Sequence, residues 1–181
     1  MINSILEINN KIFFFLYNLI HQSIFLDYLV LFFAEYTTYL VIFIIVLYLL
    51  LHKDSVDSPR NIFKDNQKIK EFLLFFLASV FVWFFSSWIK NIIASPRPYV
   101  FFENLKPLFL YDSFAFPSGH TAFFATLAFL FFYLHKTLGY FLFIMTFFVG
   151  IARIASGVHF PIDILGGLLI GFLIAYLVKR I

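Results

Sequence analysis

The sequence predicts an all-α integral membrane protein, and three observations carry that expectation. Of the 181 residues, 62% are hydrophobic and only 13% are charged, against roughly 45–50% and about 25% in soluble domains. Five stretches reach or approach the roughly 20 apolar residues that a bilayer crossing requires. The polar residues outside one charged linker are gathered into short islands at the ends of those stretches.

Taken in chain order, residues 5–26 are the least defined element. "KIFFFLYNLI" is a short apolar run followed by the polar His21-Gln22-Ser23. It is either a sixth, tilted span or a helix lying at the membrane interface. It lacks the features of a cleavable signal peptide, because one Lys11 precedes the run and no small-residue cleavage site follows. The five spans are expected at 28–51, 71–93, 120–135, 138–156 and 162–178, the third being short. No repeat, low-complexity tract or domain boundary interrupts them, so residues 1–181 read as one membrane-embedded domain. The chain contains no cysteine, which excludes a disulfide framework and thiolate chemistry.

Charge sets the orientation. The linker 52–70 holds Lys53, Arg60, Lys64, Lys68 and Lys70, and the positive-inside rule places it in the cytoplasm. Counting spans from there puts Lys136, Lys179 and Arg180 on the same side and places 94–119 and 157–161 outside. The net charge of +3 therefore says less than its distribution, and no nucleic-acid partner is expected. Apart from Lys11 and Lys106, the outer cations are Lys90, Arg97 and Arg153, each close in sequence to other polar residues.

Three islands hold these residues. In "KNIIASPRPYV" (90–100), Pro96 and Pro98 stop the preceding helix, and Arg97 is left in an extended stretch. Read alone, Lys90 snorkels to the interface and Arg97 is a loop charge. In "FPSGHTAFF" (116–124), Ser118 is a helix cap and Gly119 permits close backbone approach. The helix start there is a ready anion site, with His120 in its first turn. In "RIASGVHFPIDILGG" (153–167), Pro161 opens a helix. His159 precedes that helix and Asp163 lies in its first turn. A carboxylate there fixes the imidazole tautomer and leaves the other ring nitrogen free as a nucleophile.

Jointly, three cations, two histidines, a carboxylate and a helix start fall on one membrane face, where an anionic ligand relieves both desolvation and repulsion. A phosphate or diphosphate has the required charge. With a phosphate ester held by Lys90, Arg97, Ser118, Gly119 and Arg153, His159 attacks phosphorus. His120 protonates the leaving group, then serves as base for hydrolysis of the phosphohistidine. His120, His159 and Asp163 are also the residue types of a zinc set. No H-E-x-x-H motif or aspartate cluster accompanies them, and the three cations already supply the electrostatics. No metal and no cofactor are therefore expected.

The islands resemble the three signature motifs of the type-2 phosphatidic acid phosphatase superfamily: Lys90-x6-Arg97-Pro98, Pro117-Ser118-Gly119-His120, and Arg153-x5-His159-x3-Asp163. The resemblance covers about 85–178. It implies a bundle of about six helices, a phosphohistidine on His159, acid/base work by His120 and no metal requirement. One departure is Ala152, where the third motif usually has serine before its arginine. The short loops and the N-terminal run look most like the bacterial undecaprenyl-diphosphate phosphatases of this superfamily. That likeness implies the bacterial inner membrane, an outward-facing site and a lipid diphosphate substrate within the bilayer. Other lipid phosphates (phosphatidylglycerol phosphate, phosphatidic acid, lipid A phosphates) stay open, as does a non-catalytic protein that binds or moves phospholipid. The intact His–Asp pair favours the enzyme, since binding alone needs only cations and amides. Glu35, inside the first span, is expected at the outer interface with Tyr36, Thr37 and Thr38, in preference to facing the site.

Overall fold

The computed structural model describes residues 2–51, 62–134 and 136–180. In chain order the helices are α1 (Ile2–Tyr17), α2 (Ile24–Leu31), a π-helical turn (Phe32–Tyr36), α3 (Thr37–Leu51), α4 (Ile62–Ile93), the short α5 (Pro98–Phe101), α6 (Gly119–Leu134), α7 (Lys136–Ala155) and α8 (Pro161–Lys179). The helix of α2, the π turn and α3 is continuous, so the long helical units among the described residues match the expected bundle. Among the described residues four stretches, Ile24–Ile44, Lys70–Phe101, Lys136–Ala155 and Pro161–Lys179, are long and apolar enough to cross a membrane. The shorter α6 is the expected weak third span.

The bundle is arranged around α6. Its residues Ala122, Phe123, Phe124, Ala125, Leu127, Ala128 and Leu130 are fully buried. A helix apolar on every face is a buried helix, and α4, α7 and α8 surround this one. Trp83 meets Phe123 at one end of α4 and Phe72 meets Phe131 at the other, so α4 runs antiparallel to α6. Helix α8 runs parallel to α6. Gly167 lies against Ser118 and Thr121, Gly171 against Ala122 and Ala125, and Leu130 clusters with Ala175. Small residues let these two backbones approach, the usual device for joining helices in lipid. Large apolar side chains such as Phe81, Phe84, Phe141, Phe147, Leu165 and Leu169 point outward, and they suit acyl chains. The C-terminal ends of α4 and α7 and the N-terminal ends of α6 and α8 thus share one end of the bundle.

Three sequence expectations shift. Residues 5–26 are not one element: α1 ends at Tyr17 and Ser23 caps α2 through the amide of Leu26 at 3.1 Å. At 16 residues, α1 extends about 24 Å, short of a crossing of about 30 Å. Its contacts keep it near the shared end. Asn9 accepts from the Ile162 amide at 3.0 Å, Phe13 packs on Phe160, and the Tyr17 hydroxyl donates to the Lys106 carbonyl at 3.1 Å. The first span begins at Ile24 rather than 28, since "IFLDYLVL" continues the helix once Ser23 has capped it. Of the linker 52–70, residues 52–61, including Lys53 and Arg60, lie outside the described residues, while 62–70 open α4, where Lys64, Gln67, Lys68 and Lys70 are good helix formers.

Contact between α6 and α8 depends on Gly171. A Cβ there would stand 2.7 Å from Ala125 Cβ and 2.8 Å from the Ala122 carbonyl oxygen. Gly171→Val is expected to destabilise the protein by about 1–3 kcal/mol. Leu173→Ala, at a side chain 47% exposed, is expected to change stability by less than about 0.5 kcal/mol. Thermal unfolding in detergent distinguishes the two.

Candidate active site

All of the side chains singled out by sequence lie at the shared end, and nearly all are buried. Lys90 is 7% exposed, Arg97 3%, Ser118 0%, His120 6%, Arg153 1%, His159 1% and Asp163 0%. Lys90 therefore does not snorkel outward and Arg97 is not a loop charge in water. Each cation is taken up by protein acceptors.

Lys90 Nζ donates to the carbonyls of Phe114 and Ala115, both at 2.8 Å. Arg97 has extended backbone (φ −74°, ψ 158°) before Pro98, the conformation that a following proline imposes. Its Nε donates to the Ser113 carbonyl at 2.7 Å, Nη1 to the Val158 carbonyl at 2.8 Å and Nη2 to Ser113 Oγ at 2.9 Å. The guanidinium also lies over the Tyr111 ring, 4.6 Å from its centre. These bonds tie the connection between α5 and α6 to the connection between α7 and α8.

Ser118 caps α6 as its position suggested. Its carbonyl accepts from Ala122 N at 3.0 Å, and its hydroxyl accepts from Thr121 Oγ1 at 3.0 Å. Its own amide donates to the Asp163 carbonyl at 3.0 Å, which locks the α6 start to the α8 start. Gly119 serves a neighbour not anticipated from sequence: a Cβ there would stand 3.0 Å from Trp83 Cδ1. Trp83 in turn packs against the His120 ring, with centres 5.1 Å apart. Among the described residues His120 Nε2 is buried without a hydrogen-bond partner.

Asp163 holds two donors through one oxygen. Oδ2 accepts from the Phe160 amide at 2.8 Å, capping α8, and from His159 Nδ1 at 3.2 Å. On the other side of the ring, Arg153 Nη2 donates to His159 Nε2 at 3.3 Å. A guanidinium has donors only, so Nε2 carries the lone pair and Nδ1 the proton. Burial holds His159 well below the ordinary histidine range; the charges of Arg153, Lys90 and Arg97, with that of a protonated His120, push it the same way. The free imidazole is thus neutral, with its lone pair turned toward a cation.

Glu35 departs from its expected place. It faces the site, where its Oε2 pairs with Arg153 Nη1 at 3.2 Å. The π turn explains the difference, because the extra residue per turn rotates Glu35 and Ala34 inward. The Thr37 amide returns to the Phe32 carbonyl, which also accepts from Thr37 Oγ1 at 2.9 Å. Tyr111 was not singled out by sequence. Its hydroxyl donates to Glu35 Oε2 and accepts from Arg153 Nη1 at 2.9 Å. Burial pushes that hydroxyl up to about 12, the hydrogen bond to Glu35 adding to the rise and Arg153 opposing it, so it remains a donor. Ser113, the other missed residue, gave no sequence signal beyond being polar in a loop. Ala152 is buried beside Arg153.

Comparison with known proteins identifies the family. The family model described as PAP2 superfamily matches residues 71–181. The bacitracin transport permease protein BcrC of Bacillus licheniformis is 40% identical over 83 residues, 45% of this chain and 41% of that protein. Phosphatidylglycerophosphatase B of Bacillus subtilis (strain 168) is 38% identical over 102 residues, 50% of this chain and 48% of that protein. Those matches span less than half the length of either relative. Among solved structures, Aquifex aeolicus LpxE superposes with a TM-score of 0.72 at 26% identity, covering 96% of both chains. The transmembrane PAP2-type phosphatidylglycerolphosphate phosphatase from Bacillus subtilis superposes at 0.68, covering 98% of this chain and 86% of that one; at 24% identity it speaks for the fold alone. With a family model matched over more than half its length, and the three motifs buried at one end of a transmembrane bundle, the chain belongs to the PAP2 superfamily.

Proposed function

We propose that the protein is a membrane lipid phosphatase that forms a phosphohistidine on His159 and acts on undecaprenyl diphosphate. The observation that carries this reading is the His159 ring: Asp163 holds its Nδ1 proton, and its Nε2 lone pair meets a guanidinium nitrogen at 3.3 Å. A phosphoryl group placed between Nε2 and Arg153 takes the guanidinium hydrogen bonds and exposes phosphorus to the lone pair.

The chemistry then balances in two steps. His159 Nε2 forms a bond to the terminal phosphorus, and the bond from phosphorus to the bridging oxygen breaks. The lipid monophosphate departs with a proton from His120. Asp163 stabilises the positive charge appearing on the His159 ring. Water then attacks the phosphohistidine, His120 takes its proton, the P–N bond breaks and inorganic phosphate leaves. Lys90, Arg97 and Arg153, with Ser118 and the Gly119 amide, stabilise the charge on the transferring group, the main source of rate in phosphoryl transfer. No metal is assigned to either step. That assignment is supported by the absence, among the described residues, of any three His, Asp or Glu side chains placed as a ligand set, and by three buried cations that supply the charge stabilisation. Lys70, Lys136, Lys179 and Arg180 lie toward the opposite end from the site, which supports an outward-facing site in a bacterial inner membrane.

Undecaprenyl diphosphate is chosen from the resemblance in short loops and N-terminal sequence. A second reading, another lipid phosphate as substrate, is favoured by the name of the Bacillus subtilis phosphatidylglycerophosphatase B relative. Purified protein in detergent, with chelator present, is expected to release phosphate faster from undecaprenyl diphosphate than from phosphatidylglycerol phosphate, phosphatidic acid or lipid A phosphate. His159→Ala is expected to abolish release and to prevent trapping of acid-labile radioactive phosphate on the protein. Dependence on added zinc or magnesium would overturn the metal-free step. An unchanged rate in His159→Ala would remove His159 from the role of nucleophile.

The lowered basicity of His159 gives a pH prediction. A depressed pKa keeps the ring neutral to lower pH, so the acidic limb of kcat/KM, corrected for substrate ionisation, is expected to lie below the ordinary histidine value of about 6.5. A limb at or above that value would contradict a buried nucleophile surrounded by cations.

A further inference from the structure

We propose that Glu35 and Tyr111 are positioning residues that hold the Arg153 guanidinium by one nitrogen, so that its opposite edge meets the phosphate beside His159. The proposal rests on the phosphatase reading above and adds two residues outside the three motifs.

The division of labour is visible in the hydrogen bonds of Arg153. Nη1 is fully engaged, donating to the Ala34 carbonyl at 3.0 Å, to Glu35 Oε2 at 3.2 Å and to the Tyr111 hydroxyl at 2.9 Å. Among the described residues Nη2 reaches only the His159 ring, and Nε is buried without a hydrogen-bond partner. Nη2 and Nε together form one straight edge of the guanidinium, the edge that binds a phosphate through two parallel bonds. A cation anchored on Nη1 has that edge left for an anion and only that edge.

The anchor is built by a local irregularity. The π turn brings the carbonyl of Ala34 and the carboxylate of Glu35 to the same nitrogen, and such turns recur at functional sites. The Tyr111 hydroxyl closes the set from the opposite strand of chain, bridging Glu35 and Arg153 while its ring lies under both Arg97 and Arg153, at 4.6 and 4.9 Å. Phe109 covers another face of Arg153 at 5.6 Å. With its carbon stem buried and three acceptors on one nitrogen, the guanidinium has little freedom to rotate. Glu35 also offsets one of the three cations, which limits how tightly the pocket retains the inorganic phosphate it releases.

The experiment compares wild type, Glu35→Gln and Tyr111→Phe, each also in an Arg153→Ala background, on whichever of the four lipid phosphates the wild type hydrolyses. Glu35→Gln is expected to lower kcat about tenfold or more, since small misplacements of a clamping group carry losses of that order. It is also expected to tighten inhibition by inorganic phosphate several-fold, about the effect of removing one compensating charge from a partly buried site. In the Arg153→Ala background the same substitution is expected to cost less than about twofold, because coupled residues act through one another. A merely structural role would lower the rate by the same factor in both backgrounds and leave phosphate inhibition unchanged, and that outcome overturns the proposal. If Glu35→Gln does not fold, Tyr111→Phe decides: a kcat within about twofold of wild type overturns the assignment, and a larger loss that disappears in Arg153→Ala supports it. Wild-type protein inactive on every lipid phosphate would overturn the phosphatase reading itself, and this assignment with it.

Discussion

Three cations buried together at one end of an apolar bundle form the constraint on which the rest of the structure depends. Lys90, Arg97 and Arg153 are nearly sealed from water, and a buried charge is tolerable only when paired and hydrogen-bonded. The chain meets that demand mostly with backbone carbonyls, those of Ala34, Ser113, Phe114, Ala115 and Val158, and with one carboxylate, Glu35. Carbonyl oxygens disperse the charge without cancelling it. The pocket therefore remains electropositive, which a second and third acidic partner would have prevented.

The same bonds explain how an irregular segment is held in place. The connection between α5 and α6 contains no regular structure from Phe102 to Ser118. It is fixed from below by Lys90, from one side by Arg97 and from another by Arg153 through Tyr111. The Leu108 amide adds a bond to the Ser156 carbonyl at 3.1 Å. In the proposed mechanism the binding groups and the scaffold are the same atoms, which couples anion affinity to loop order. A bound phosphate that draws hydrogen bonds from these cations competes with the carbonyls that position the loop.

Much of this was legible in the residues. The apolar excess and span lengths establish a membrane bundle because burial in lipid leaves few other solutions for an unbroken backbone. The islands at 90–100, 116–124 and 153–167 are conspicuous because ionisable residues are costly next to apolar spans. The His159–Asp163 relation follows from helix geometry, since proline at 161 sets the first turn and places a carboxylate one turn from the ring. Less was legible for Glu35. The sequence around it reads as a continuous apolar helix, and its neighbours Tyr36, Thr37 and Thr38 suggest an interface. Which way it points depends on one extra residue in one turn, and nothing in hydrophobic periodicity encodes a π turn.

By itself the sequence determined the class of fold, the end of the bundle that carries the polar groups, and the pairing of an imidazole with a carboxylate, because each follows from transfer free energies or from spacing within a single turn. Tertiary structure alone decided that Tyr111 and Ser113 belong to the site, that Gly119 makes room for Trp83, and that Glu35 faces Arg153. Those relations join residues distant in sequence through hydrogen bonds and close contacts whose geometry exists only once the π turn, α4, α6, α7 and the connection before α6 have packed together.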